Sequence, residues 1–201
     1  LDVGCGTGAA LSHLADAGFT ALTGLEPYLE SDRRLANGVQ IRKGTLETMT
    51  GEFAFIMSHH AVEHMEDPVA ALKHLGRLLS PGGKIWVRVP LTGGTAWQHY
   101  GTDWVQLDPP RHLCIPSLAG MTAAVRLAGL RITQVDFDSS AFQFWGSELA
   151  RKKIPLVDPK SHRNVNVAEH FSTIELARWE SQAHELNLQG KGDQVGFWLS
   201  R

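Results

Sequence analysis

The chain has 201 residues, 43% of them hydrophobic, enough for one domain with a real core or one domain plus a lid. Its 19 basic and 21 acidic side chains give a net charge of −2 without a basic run, which argues against nucleic acid held through its phosphates. No apolar stretch reaches membrane-spanning length, and Cys5 and Cys114 form no disulfide framework, so a reduced, cytoplasmic setting is expected.

Leu1-Asp2-Val3 reads as the end of a first strand and Gly4-Cys5-Gly6-Thr7-Gly8 as a loop feeding a helix from Ala9 to about Ala17, which Gly18 stops. Leu1 already lies inside that strand, so an N-terminally truncated chain is expected. Alternating glycines let a ligand lie against bare main chain while the first helical amides point at it. The looser dinucleotide fingerprint Gly4-x-Gly6-x-x-Ala9 is also met, so the glycines alone leave a nicotinamide-dependent oxidoreductase open. Asp2 tips the choice: a carboxylate sits badly beside a pyrophosphate but suits a ligand bearing an ammonium and a sulfonium, such as S-adenosylmethionine.

Thr20 to Leu25 follows as strand 2, Tyr28 to Ala36 as a second helix, Val39 to Arg42 as a short strand 3 and Phe53 to Met57 as strand 4, with only a turn between the last two. Asp67 as N-cap and Pro68 at the first helical position start a helix whose Val69, Leu72, Leu75 and Leu79 face the sheet. Ser80-Pro81-Gly82-Gly83 turns it into strand 5, Ile85 to Val89. A long connection, Pro90 to Pro116, carries enough aromatic and imidazole side chains to argue against disorder. A helix from Ser117 to Gly129, strand 6 from Leu130 to Phe137 and a last strand from Gln194 to Ser200 complete the frame. The residues between the last two strands hold helical stretches at Ala141 to Lys152 and Val167 to Leu188 and read as an inserted cap.

Taken in order, D-x-G-x-G-x-G, Glu26, Gly44-Thr45-Leu46-Glu47, Glu63-His64-Met65-Glu66-Asp67-Pro68 and Leu78-Leu79-Ser80-Pro81-Gly82-Gly83 resemble the class I S-adenosylmethionine-dependent methyltransferases, in the small-molecule branch that includes the ubiquinone-type O-methyltransferases. The resemblance implies a Rossmann-like α/β fold, a doubly wound, mostly parallel seven-stranded sheet of order 3-2-1-4-5-7-6. Residues 1–138 and 193–201 would form the cofactor-binding domain, with 139–192 as the cap. Ala54 stands where the family often has Asp, and Thr45 replaces a frequent acidic residue; both bear on the adenine side.

Within that frame S-adenosyl-L-methionine is the expected cofactor, held by Asp2, Gly4, Cys5, Gly6 and Gly8, with Glu26 and Pro27 at the ribose, Thr45 and Leu46 at adenine, and Ser58 and His59 near the methyl-donating sulfur. His60-Ala61-Val62-Glu63-His64 spells H-x-x-E-H, a zinc pattern when it lies within a helix and a third ligand converges. Here it follows a strand and meets Asp67-Pro68, so no metal is expected, and Glu63 and His64 read as a structural hydrogen-bonded pair. His112 and His60 are the candidate bases; Arg111 is a candidate anion clamp, and Trp97, Tyr100 and Trp104 line the acceptor or hold the loop. The loop from about Leu91 to Ile115 and the insertion are expected to close over a small-molecule or glycan-like acceptor, methylated on oxygen. A cofactor-binding regulatory subunit without turnover is the rival reading, and oligomeric state is not indicated.

Overall fold

The computed structural model describes residues 1–159 and 161–201. The chain divides into two compact units: unit 1 comprises Leu1–Val89, Ala119–Val135 and Gly196–Arg201, and unit 2 comprises Pro90–Leu118 and Asp136–Val195. No helix among the described residues is long and apolar enough to cross a membrane.

In chain order the strands are β1 (Asp2–Val3), β2 (Thr23–Glu26), β3 (Arg33–Arg34), β4 (Gln40–Lys43), β5 (Phe53–His59), β6 (Leu79–Pro90), β7 (Arg131–Phe137) and β8 (Gln194–Ser200). The helices are α1 (Ala9–Asp16), α2 (Pro68–Leu78), α3 (Thr95–Tyr100), α4 (Leu118–Leu127), α5 (Phe142–Arg151) and α6 (Thr173–Leu188). One sheet has the order β3-β4-β2-β1-β5-β6-β8-β7. Parallel pairing joins β4, β2, β1, β5 and β6. Hydrogen bonds at Arg131–Ser200, Thr133–Trp198 and Asp138–Gln194 run in opposite chain directions, so β8 is antiparallel to β7.

The sheet therefore has eight strands rather than seven. The expected order runs through it, and the addition is the two-residue edge strand β3, antiparallel to β4. This strand replaces the helix expected over Tyr28 to Ala36. Arg33 and Arg34 pair with Ile41 and Gln40 across a turn in which Gly38 takes φ +89°, and Asp32 Oδ1 accepts from the Lys43 amide at 2.8 Å. Those non-local bonds outweigh the helical propensity of a nine-residue stretch.

A second correction concerns Ser80 to Gly83, which lies inside β6 instead of turning into it. Phe53 faces Leu79 while Phe55 faces Lys84, so the extra residues form a bulge, with Gly82 at φ +76°. Between β4 and β5 there is, as expected, a turn and no helix, held by Arg77 Nη2 donating to the carbonyls of Leu46 and Met49 at 3.1 Å each.

Asp67 Oδ1 accepts from Ala70 N at 2.9 Å, the cap the sequence signals, and α2 buries Leu72, Leu75 and Leu78. Ile56 of β5, Ile85 and Val87 of β6 and Phe197 and Leu199 of β8 are fully buried on the sheet. In unit 2 the connection after β6 is structured, with α3 and two 3-10 turns, Gly101–Asp103 and Val105–Leu107. Tyr100 and Trp104 join Phe144, Leu149, Phe171 and Trp179 in a separate apolar core. Ser172 and Glu175 exchange bonds as a capping box that starts α6.

Candidate functional site

Parallel pairing brings the carboxyl ends of four strands to one edge of unit 1. Val3 is level with Leu25 and Ser58, and Glu26 with Lys43. The glycine loop, Glu26, the Gly44–Leu46 turn and Ser58–His59 therefore emerge side by side. From β1 the chain moves first to β2 and later returns to β5 on the other side of β1, so this edge includes the point where the winding reverses. Ligands of open α/β sheets bind there.

Gly4, Gly6 and Gly8 all have left-handed backbone, at φ +75°, +54° and +82°. Their surroundings differ. A Cβ at Gly4 would lie 2.5 Å from Ala61 Cβ, and one at Gly8 2.5 Å from Ile41 Cδ1, so both are packed against protein. At Gly6 a Cβ meets nothing within 4 Å, which leaves one open side of the loop. Glu26 holds the loop in place: its Oε2 accepts from Gly6 N at 2.8 Å and its Oε1 from Tyr28 N at 3.2 Å. A carboxylate has about four acceptor sites, and these two amides use two of them.

Asp2 is 4% exposed, and burial, with the Glu26 charge adding to it, raises its carboxyl to about 6. A cationic ligand group would restore the ionised form. Ser58 is fully buried with its Oγ unbonded among the described residues, a polar atom available at the end of β5. Open space at Gly6, the Asp2 carboxyl and this hydroxyl fit S-adenosylmethionine. Cys5 is half-buried: a Cβ at Gly24 would meet its Sγ at 2.5 Å, and burial, then the Asp2 and Glu26 charges, push the thiol to about 12. Pro27 and Thr45 are exposed, Thr45 N bonding Thr48 Oγ1 at 3.2 Å, whereas the Leu46 side chain is buried.

His60 has φ +51°, and its Nδ1 lies 2.8 Å from Oε1 of the fully buried Glu63. Arg88 Nη1 donates to His60 Nε2 at 3.1 Å and also contacts His59 Nε2. Guanidinium can only donate, so both Nε2 atoms are acceptors, and the His60 proton sits on Nδ1 toward Glu63. Arg88 thus covers the nitrogen through which His60 would act as a base.

In unit 2 the His112 ring is 6% exposed, and its Nδ1 lies 2.6 Å from the Gln106 carbonyl. A carbonyl accepts only, so Nδ1 carries the proton and Nε2 is the basic atom, 4.0 Å from Asp108 Oδ2. Arg111 is 70% exposed and pairs with both Asp108 oxygens at 2.7–2.8 Å. Trp104 is buried and donates from Nε1 to Asp193 Oδ2 at 2.9 Å, with Trp97 edge-on at 5.5 Å. Tyr100 packs under Arg151, and burial, then Glu148, raises its hydroxyl above the ordinary range. Sequence reasoning missed Arg88, the backing of Gly4 by Ala61, and Asp193; none carries a local signature.

The family model described as a methyltransferase domain matches residues 1–135. The chain is 32% identical over 101 residues to the ubiquinone biosynthesis O-methyltransferase of Xanthomonas oryzae pv. oryzae (strain PXO99A), covering 43% of this chain and 41% of that one. It is 31% identical over 124 residues to the enzyme of the same name from Sodalis glossinidius (strain morsitans), covering 55% and 49%. The chain thus spans about half the length of these relatives, or less. Among solved structures, a mycolic acid cyclopropane synthase complexed with SAH and CTAB aligns at TM-score 0.59 and 16% identity, covering 100% of this chain and 76% of that one. A putative sarcosine dimethylglycine methyltransferase from Galdieria sulphuraria aligns at 0.57 and 16%, covering 98% and 76%. The match over residues 1–135, most of its length, together with the doubly wound sheet, makes this chain a member of the methyltransferase domain family, of the class I S-adenosylmethionine-dependent kind.

Proposed function

We propose that the chain transfers a methyl group from S-adenosylmethionine to a hydroxyl oxygen of a small-molecule or glycan-like acceptor. The observation that carries the reading is the open side of Gly6, flanked by the buried Asp2 carboxyl and by Glu26, which already grips the loop. Asp2 is assigned to the ligand's ammonium, Glu26 to its ribose hydroxyls, and Ser58 and His59 to the sulfur side. The two O-methyltransferase relatives support oxygen as the acceptor atom.

A bound sulfonium supplies a methyl group already activated for displacement, so the chain's residues have to orient the acceptor, exclude water and take up a proton. His112 is the proposed base. Its Nδ1–H on the Gln106 carbonyl fixes the ring and presents Nε2 as the atom that accepts the hydroxyl proton. Arg111 is the proposed clamp for an anionic acceptor and would exchange Asp108 for it. Trp104 is the aromatic residue proposed to contact the acceptor.

The test is twofold. Calorimetry with S-adenosylhomocysteine and with NADH reads the cofactor: binding of NADH alone defeats the proposal. Transfer of labelled methyl from S-adenosylmethionine to a panel of hydroxylated aromatics and sugars reads the reaction. Cofactor binding with no transfer to any acceptor favours a non-catalytic binding subunit.

A further inference from the structure

Unit 2 contains a cavity of about 520 Å³, a size that takes a small organic molecule. Trp104, Val105 and Leu107 line it from the two 3-10 turns, and Ala150, Ile154 and Leu156 from the end of α5 and the segment beyond. The two sides approach closely because α5 carries Gly146, where a Cβ would lie 2.9 Å from Val105 Cγ2 and from Phe142 Cε2.

Two charged residues belong to this lining, Asp108 and Lys153. Asp108 is neutralised by Arg111, and the nearby cation Arg151 is taken up by Asp103 at 3.9 Å and Glu148 at 3.4 Å. Lys153 is exposed and makes no ion pair among the described residues, so the mainly apolar cavity has one cation at its rim that no carboxylate of the chain takes up. Its backbone sharpens the point. Lys153 stands at φ +57° where α5 ends, its N donating to Ala150 O and Ile154 N to Leu149 O, both at 2.9 Å. Glycine fills that left-handed position at lower conformational cost, so the turn itself has no need of the lysine side chain.

We propose that this cavity binds a small apolar molecule bearing one carboxylate, its body against Trp104, Ile154 and Leu156 and its acid group on Lys153 Nζ. The cavity shares Trp104 and Asp108 with the acceptor side of the proposed function and the inference rests on that reading; binding is measured without cofactor, so its failure is distinct from a failure of methyl transfer.

Calorimetry on the whole chain with 2-naphthoate and with neutral 2-naphthalenemethanol tests it. The carboxylate binds about tenfold more tightly or better, and Lys153→Gln removes that preference. Lys153→Gly removes it too, at a thermal midpoint equal to or above the wild type, which separates a ligand role from a structural one. Ala150→Phe, at an exposed helical position, weakens both ligands by about tenfold or more at an unchanged midpoint. Failure of both ligands to bind the wild type, or a carboxylate preference that survives in Lys153→Gln, overturns the proposal.

Discussion

Alanine at Gly6 and, separately, at Gly8 puts the same methyl group into two different surroundings. Both residues are left-handed, at φ +54° and +82°, so each substitution carries about 1–2 kcal/mol of backbone strain. At Gly6 nothing more is added, because the new Cβ has no neighbour within 4 Å. At Gly8 it falls 2.5 Å from Ile41 Cδ1 and 3.0 Å from Leu35 Cδ1, and Ile41 is fully buried on β4. Overpacking there contributes a further ~1–3 kcal/mol, making about 2–5 kcal/mol in all. In a chain of this size 1 kcal/mol moves the thermal midpoint by about 2–4 °C, so Gly6→Ala loses roughly 2–8 °C and Gly8→Ala roughly 4–20 °C. Binding discriminates differently. The Gly6 methyl stands on the side of the loop assigned to the cofactor, and overlap with a ligand of fixed shape weakens S-adenosylhomocysteine by about tenfold or more. Thermal melts and calorimetry on the two variants give both readings. A Gly6→Ala chain that binds S-adenosylhomocysteine within about twofold of wild type refutes the placement of the ligand, and equal midpoints for the two variants refute the packing argument.

Glu26→Ala removes the acceptor of the Gly6 and Tyr28 amides and of the proposed ribose hydroxyls, so S-adenosylhomocysteine affinity falls by about 1–3 kcal/mol; an unchanged Kd takes Glu26 out of the site. Asp2 has a folded value near 6 against an ordinary 3.8, so the folded state holds its proton more tightly, and stability is lost as pH rises from about 4 to about 6. Asp2→Asn therefore raises the midpoint at neutral pH. Wild-type affinity for S-adenosylhomocysteine weakens below about pH 6 as the carboxylate is protonated, and a pH series in which Asp2→Asn keeps that fall contradicts the assignment. His112→Gln lowers turnover by about 100-fold with cofactor affinity unchanged, and full turnover demotes His112 to a structural residue. Trp104→Phe takes a donor from the buried Asp193 carboxylate and destabilises unit 2 by about 1.5–3 kcal/mol, read by denaturant titration; a shift below ~0.5 kcal/mol contradicts the bond's weight.

The features legible in the sequence are those whose physics is local. Gly4, Gly6 and Gly8 announce left-handed turns because a side chain there is strained whatever surrounds it, and all three have positive φ. Asp67-Pro68 announces a helix start because the cap bond spans only three residues, to Ala70 N. Val195, Phe197 and Leu199 alternate with polar or small residues and so mark the strand Gln194–Ser200, and all three are fully buried. The tertiary structure decided the rest. Whether residues 28–36 form a helix or a strand depends on Arg33 and Arg34 finding Ile41 and Gln40. Whether Ser80 to Gly83 turns or bulges depends on Phe53 and Phe55 pairing on either side of it. That Trp104 is a buried donor depends on Asp193, 89 residues away, and that His60 is gripped from both ring nitrogens depends on Arg88, 28 residues away, as well as on Glu63. Such bonds form only where the chain's return path brings two surfaces together, and short-range periodicity and capping chemistry carry no information about that path.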